Sequence, residues 1–250
     1  MGREEHELVV RFRTARRDPE LTVVEGFHAL KHALRFGAEL LEAVAVDPPR
    51  LEELASELAP DLAGSLAPRV REVDQATLAD VVPLVPRTGV VAIAKRPAVD
   101  VAATLADPRP APVVLLEQPR NMGNIGACIR VSAAADAAAV LTTGENDPWY
   151  PDAVRGAAGL HFALPVAGIE ALPESDRPLL AVDPEGEEIH PGLIPERAVL
   201  AFGTERHGLS GELRERADAR VAIPMKAGVS SLNLATSVAI VLFSMRLGSA

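Results

Sequence analysis

The chain has 250 residues, 48% hydrophobic but only 3% aromatic, enough for one large or two modest domains packed with Ala, Val, Leu and Ile. Its longest apolar stretch, Val238 to Phe243, is too short to span a bilayer, and no basic start with an apolar run marks a signal peptide. The net charge of −10 argues against a nucleic-acid partner at first sight, and the single cysteine, Cys128, excludes an internal disulfide and fits a reducing cytoplasm.

The charge is unevenly spread. Leu8 to Gly37 holds Arg11, Arg13, Arg16, Arg17, Lys31 and Arg35 against Asp18, Glu20 and Glu25, a surplus of three positive charges. Ala38 to Asp80 holds ten acids and three arginines, a deficit of seven. The basic segment suits a phosphate backbone, and equally a solvated arginine-rich arm. Further on, Phe27, Leu30, Ala33 and Leu34 share one helical face that Gly37 closes. Leu41 to Val46 reads as a strand, Leu51 to Leu58 as a helix, and Val70–Val73 and Val90–Ala94 as short strands. The proline-rich stretch Lys95 to Pro112 breaks the pattern. This divides the chain into a first domain over 1–106, a linker over 107–112 and a second domain over 113–250.

In the second domain, strands are expected at Val113–Leu116, Ala139–Leu141, Leu179–Val182, Ala198–Phe202 and Ala219–Ile223. Helices are expected at Ile125–Ala135 and Leu234–Leu247. Short apolar strands alternating with helices predict a parallel α/β sheet covered on both faces. The last helix is apolar nearly all round, so it must be buried on more than one side, which suggests a homodimer.

Three loops follow apolar runs: Glu117 to Arg130, Phe202 to Ser210 and Ala222 to Ser237. Loops at the ends of parallel strands are where such proteins bind ligands, so the three can converge on one pocket. In the first, Asn124 and Arg130 lie at the mouth and second turn of one helix, where an arginine can grip a phosphate or carboxylate bidentately. Taken alone, the pair also reads as an N-cap and a surface ion pair. In the second, Gly203 directly follows the strand, where a Cβ would block close ligand approach, and Glu205 offers a carboxylate. In the third, Ser231-Leu232-Asn233 enters the last helix, where Ser231 can be a cap, and helix N-termini supply donors to anions. His28 and His32 have a metal-compatible spacing but no third ligand stands out, so no metal is expected. GxxxxGK[ST], GxSxG and GxGxxG are all missing from the sequence.

The three segments resemble the SpoU (TrmH-like) branch of the SPOUT methyltransferases. Asn124–Arg130 (NIGACIR) looks like its first motif, Leu200–Ser210 (LAFGTERHGLS) its second, and Ile223–Ala235 (IPMKAGVSSLNLA) its third. Val24–Leu34 resembles the opening helix of the L30e-like substrate-binding domain that precedes many such catalytic domains. The departures are Glu117-Gln118-Pro119 where an acidic-proline pair is usual, and Arg155 to Gly159, which lacks a common serine. The resemblance implies a smaller L30e-like α/β domain followed by a parallel α/β domain with a C-terminal trefoil knot. It implies a dimeric RNA 2′-O-ribose methyltransferase using S-adenosylmethionine, with no metal required. Gly203, Ile223 and Leu232 match its cofactor contacts, and Asn124, Arg130, Glu205, Ser231 and Asn233 its conserved polar set. Arg130 would be the base or, since a guanidinium with a pKa of about 12.5–13.8 yields its proton at high cost, a phosphate clamp oriented by Asn124. The extra first domain favours ribosomal RNA over tRNA. The rival reading on the same scaffold is a non-catalytic RNA-binding or ribosome-assembly factor.

Overall fold

The structure is a computed structural model and describes residues 2–204 and 207–248. The chain forms two compact units, one of Met1–Pro97 with Trp149–Ala163, the other of Ala98–Pro148 with Leu164–Ala250. The division falls at Pro97, before the stretch 107–112 where composition suggested a linker. The first unit also takes back a segment from the middle of the chain.

The first unit runs α1 (Arg3–Ala15), β1 (Leu21–Glu25), α2 (Phe27–Arg35), β2 (Leu40–Ala45), α3 (Pro48–Leu58), β3 (Arg71–Glu72), α4 (Gln75–Val81) and β4 (Val90–Lys95). Its sheet has the order β1-β4-β2-β3, antiparallel except for the β2–β3 pair. The basic start is no free arm. Leu8, Val9, Phe12 and Ala15 fall on one face of α1 and are buried in the core of this unit with Val23, Val44 and Val91. The arginines are left outside, and Arg11 donates to both carboxylate oxygens of Glu42 at 2.7 and 2.8 Å. Helix α2 ends as its sequence suggests. Gly37 has a φ of +79°, and the N–H groups of Gly37 and Ala38 donate to Leu34 and Ala33. That is the paired bonding a left-handed residue permits.

The segment 149–163 belongs to this unit through polar and backbone contacts that composition does not reveal. The Thr22 hydroxyl donates to the Trp149 carbonyl at 2.9 Å. Buried Glu25 accepts from Arg16 and, at 2.6 Å, from Arg155. A Cβ at Gly159 would stand 2.2 Å from the carbonyl oxygen of Ala29, so this position needs glycine.

The second unit runs α5 (Val101–Ala106), β5 (Val113–Leu116), α6 (Met122–Ala134) and β6 (Ala139–Thr142). α7 (Pro151–Gly156), next in the chain, lies in the first unit. The second resumes with β7 (Val166–Gly168), β8 (Leu179–Glu188), β9 (Val199–Phe202), α8 (Gly211–Arg216), β10 (Ala219–Ala222) and α9 (Leu234–Gly248). Its six strands are all parallel, as the alternation of apolar strands and helices predicts; their order is β10-β8-β9-β5-β6-β7, and the short β7 was not among the five expected. Every residue of β5, β6 and β9 is buried, because helices must cover both faces of a parallel sheet. Val113, Leu115, Leu141 and Val199 form one core layer with Leu105 and Leu213, while α6 and α9 pack on each other.

Arg177 fixes the entry into this sheet. It is 4% exposed and donates to the carbonyls of Leu105, Ala111, Asp107 and Arg197 at 2.7–3.2 Å. Burial, with the nearby Arg197 cation, pulls its guanidinium below the ordinary pKa. Arg177→Met leaves buried carbonyls without donors, each costing about 1–3 kcal/mol. The expected destabilisation is about 3–5 kcal/mol, a fall in melting temperature of roughly 6–20 °C. A melt unchanged from wild type would show that water satisfies these carbonyls instead.

Candidate active site

The sheet order sets where a ligand can sit. β5 leads outward through β6 and β7, and the chain then returns to the other side of β5 with β8, β9 and β10. The reversal falls between β5 and β9. In such sheets ligands bind outside the C-terminal ends of the strands, near this topological switch point.

A cleft of about 320 Å³ is lined by Asp183 of β8, Phe202, Gly203 and Thr204 at the end of β9, and Ile223, Ser231 and Leu232 beyond β10. Gly203, Ile223, Leu232 and Ser231, distant in sequence, thus share one cleft. Gly203 also serves its own loop. A Cβ there would lie 2.0 Å from the carbonyl carbon of Gly208, so the glycine lets its own loop fold back. The N–H groups and carbonyls of Thr204 and Gly208 close this loop at 3.1 and 2.9 Å.

The first loop does not line the cleft but is tied to the loops that do. The Asn233 amide donates to Asn124 Oδ1 at 3.1 Å, and the Ser210 N–H donates to Glu117 Oε2 at 2.7 Å. Capping duties also differ from the sequence reading. Asn121, not Asn124, caps α6 by accepting from the Asn124 N–H at 2.9 Å. Asn233, not Ser231, accepts from the Ala235 and Thr236 N–H groups at the start of α9. The Asn124 side chain is thereby released from capping.

Arg130 is exposed on α6 and makes no hydrogen bond or ion pair with another described residue. The expected surface ion pair is not formed among the described residues. Asn124 does not hold it either: six helical residues put the two about 120° apart around the axis and about 9 Å along it. Glu205 lies outside the described residues. His28 is exposed, while His32 Nδ1 sits 2.7 Å from the Ala158 carbonyl oxygen. Cys128 is buried in α6.

Sequence reasoning missed Asp183. It is a carboxylate only 8% exposed on the wall of the cleft. One oxygen accepts from the Glu185 N–H at 2.9 Å, and the other lies 3.7 Å from Arg214 Nη1. An acid in the middle of β8, between Val182 and Pro184, carries no periodic signal.

The cleft thus lies at the C-terminal end of β9, one of the two strands that flank the switch point, with Asn124 of α6 and Asn233 just before α9 bonded to each other, an arrangement typical of ligand-binding α/β proteins. The SpoU rRNA Methylase family matches residues 111–243, and the chain belongs to it. The chain is 35% identical to an uncharacterized tRNA/rRNA methyltransferase of Mycobacterium bovis over 202 residues, 75% of this chain and 69% of that protein. It is 29% identical to the 23S rRNA (adenosine(1067)-2′-O)-methyltransferase of Streptomyces azureus over 91% of this chain and 87% of that one. The AdoMet-bound rRNA methyltransferase of Sinorhizobium meliloti superposes with a TM-score of 0.72 and 25% identity, over 98% and 95% of the two chains. The protein is an S-adenosylmethionine-dependent RNA methyltransferase. Among the described residues, no helix is long and apolar enough to cross a membrane, and no cluster of His, Cys, Asp and Glu could hold a metal.

Proposed function

We propose that the protein methylates the 2′-hydroxyl of a ribose in ribosomal RNA. The observation that carries this reading is the Asn124–Asn233 hydrogen bond, which joins the first and third motifs beside the cleft of the second and third. The preference for ribosomal RNA is supported by the Streptomyces azureus relative, whose match spans both units of this chain. The first unit would be the L30e-like RNA-recognition domain, and the C-terminal segment would thread into the family's knot.

The cleft suits S-adenosylmethionine. It joins an apolar wall of Phe202, Ile223 and Leu232 to hydroxyls of Thr204 and Ser231, and buried Asp183 is a charge complement for a cation. Gly203, Ile223 and Leu232 would hold the cofactor, which supplies a methyl group already activated on a sulfonium. The protein must then align a weak nucleophile and exclude misaligned ones. Arg130 would grip the phosphate beside the target ribose through its planar fork. Ser231 and Asn233 would orient the ribose, and Glu205 would fix the second loop. The decisive experiment compares 2′-O-methyl maps of RNA from cells with and without the protein. The expected result is one ribosomal site lost; a lost tRNA site would replace the substrate, and an unchanged map would remove the activity.

Asp183→Asn should weaken S-adenosylmethionine binding about tenfold, and S-adenosylhomocysteine binding less, because the product lacks the sulfonium charge. Calorimetric titrations with both ligands make the comparison. Equal losses would mean that Asp183 does not face the sulfonium.

The protein would act as a homodimer through α9. Val238, Val241 and Leu242 are buried, yet Ile240, Phe243 and Leu247, spaced three and four apart, are 36, 39 and 78% exposed on another face. An apolar stripe of this kind calls for cover. Phe243→Glu should convert a dimer to a monomer in light scattering; a wild-type monomer at micromolar concentration would refute the assembly.

A further inference from the structure

The first unit carries a second cleft, of about 650 Å³, far in sequence from the three motifs. Its lining divides by chemistry. Val10, Pro19 and Tyr150 give it an apolar side, with Val10 47% and Tyr150 40% exposed. Arg13, Arg16 and Arg17 give it a cationic side. Tyr150 is the chain's single tyrosine.

Elsewhere on this unit most arginines that lie near an acid are paired, while Arg69 and Arg87 have no carboxylate partner among the described residues. Arg3, Arg11, Arg35, Arg50 and Arg71 each face a carboxylate. Arg13 and Arg17 make no side-chain hydrogen bond or ion pair with any described residue, although the chain carries ten net negative charges. Arg16 is held from behind by Glu25, and its Nε is buried without a hydrogen-bond partner. The one acid in the lining, Asp18, accepts from the Glu20 N–H at 2.8 Å. Two unpaired cations, Arg13 and Arg17, thus border an exposed aromatic ring, with Asp18 the one acid in the lining.

We infer that this cleft binds an unstacked nucleotide of single-stranded RNA, its base against Tyr150, Val10 and Pro19 and its phosphates on Arg13 and Arg17. The inference rests on the reading of RNA as substrate. A flat apolar ring next to an anion is what this lining complements, and every base presents such a face. In duplex RNA the bases are stacked inward and only the charge would be met. An acidic peptide likewise supplies charge without the flat ring.

The test uses the full-length protein, a fluorescent oligouridylate, an RNA duplex and polyglutamate. Tyr150→Ala should weaken oligouridylate binding about tenfold, while Tyr150→Phe binds as wild type. The backbone role of Tyr150 survives both, since its carbonyl, not its ring, accepts from the Ala153 and Val154 N–H groups. Arg13→Gln with Arg17→Gln should flatten the slope of log affinity against log salt by about 1.4, two single-strand phosphate contacts. S-Adenosylmethionine affinity should be unchanged in every variant. Unchanged oligouridylate binding in Tyr150→Ala, or polyglutamate or duplex bound as tightly as oligouridylate, would overturn the inference. If wild type still methylates RNA, the substrate reading stands without it; if wild type neither binds nor methylates RNA, both fall.

Discussion

Arg130→Ala is expected to slow methyl transfer by about 10²–10⁴-fold while leaving S-adenosylmethionine affinity nearly unchanged. The separation follows from where the residue sits. Arg130 is exposed on α6, whereas the cleft proposed for the cofactor is lined by β8 and the loops after β9 and β10. Removing it disturbs no packing, because α6 is anchored by Ile125, Cys128 and Ile129, all 0% exposed. It breaks no ion pair either, since none is formed among the described residues. Arg130→Lys keeps the charge but loses the fork, so it should restore little of the rate. Single-turnover kinetics with a parallel cofactor titration make the measurement. A near-normal rate in Arg130→Ala would remove this residue from the reaction.

Gly203→Ala should abolish cofactor binding at ordinary concentrations, with affinity reduced by about 100-fold or more. The added methyl would lie 2.0 Å from the Gly208 carbonyl carbon and 2.2 Å from the Leu209 nitrogen. Both are backbone atoms, so no rotamer change relieves the overlap. The loop must open, breaking the Thr204–Gly208 bonds and moving the cleft wall; about 2.7 kcal/mol of lost binding energy corresponds to that factor. Gly208→Ala supplies the contrast. Gly208 has a φ of +63° with nothing within 4 Å of an added Cβ, so it carries only backbone strain of about 1–2 kcal/mol. Titration of both variants should rank Gly203→Ala well below Gly208→Ala. Equal losses would mean that strain, not the close approach of the loop to itself, governs the site.

The two glycines illustrate which features are local. Gly37 closing α2, the buried strands β5, β6 and β9, and the apolar α9 were all legible, because each is a repeat or a stop signal within a dozen residues. The three motif segments were legible as well, by resemblance and by their position after apolar strands. The helix under the basic start is written in the same way, since Leu8, Val9, Phe12 and Ala15 have helical spacing between the arginines.

By itself, then, the sequence determined the α/β class, the parallel character of the second sheet, and the family to which the motifs belong. Only the tertiary structure decided the rest. It brought Asp183 to the wall of the cleft and gave the capping of α6 and α9 to Asn121 and Asn233. It returned residues 149–163 to the first unit, where Glu25 meets Arg155 across 130 positions of sequence. The physical reason is the same in each case. Hydrophobic periodicity records which face of an element is buried, whereas a hydrogen bond or ion pair between distant residues depends on where the folded backbone places both partners.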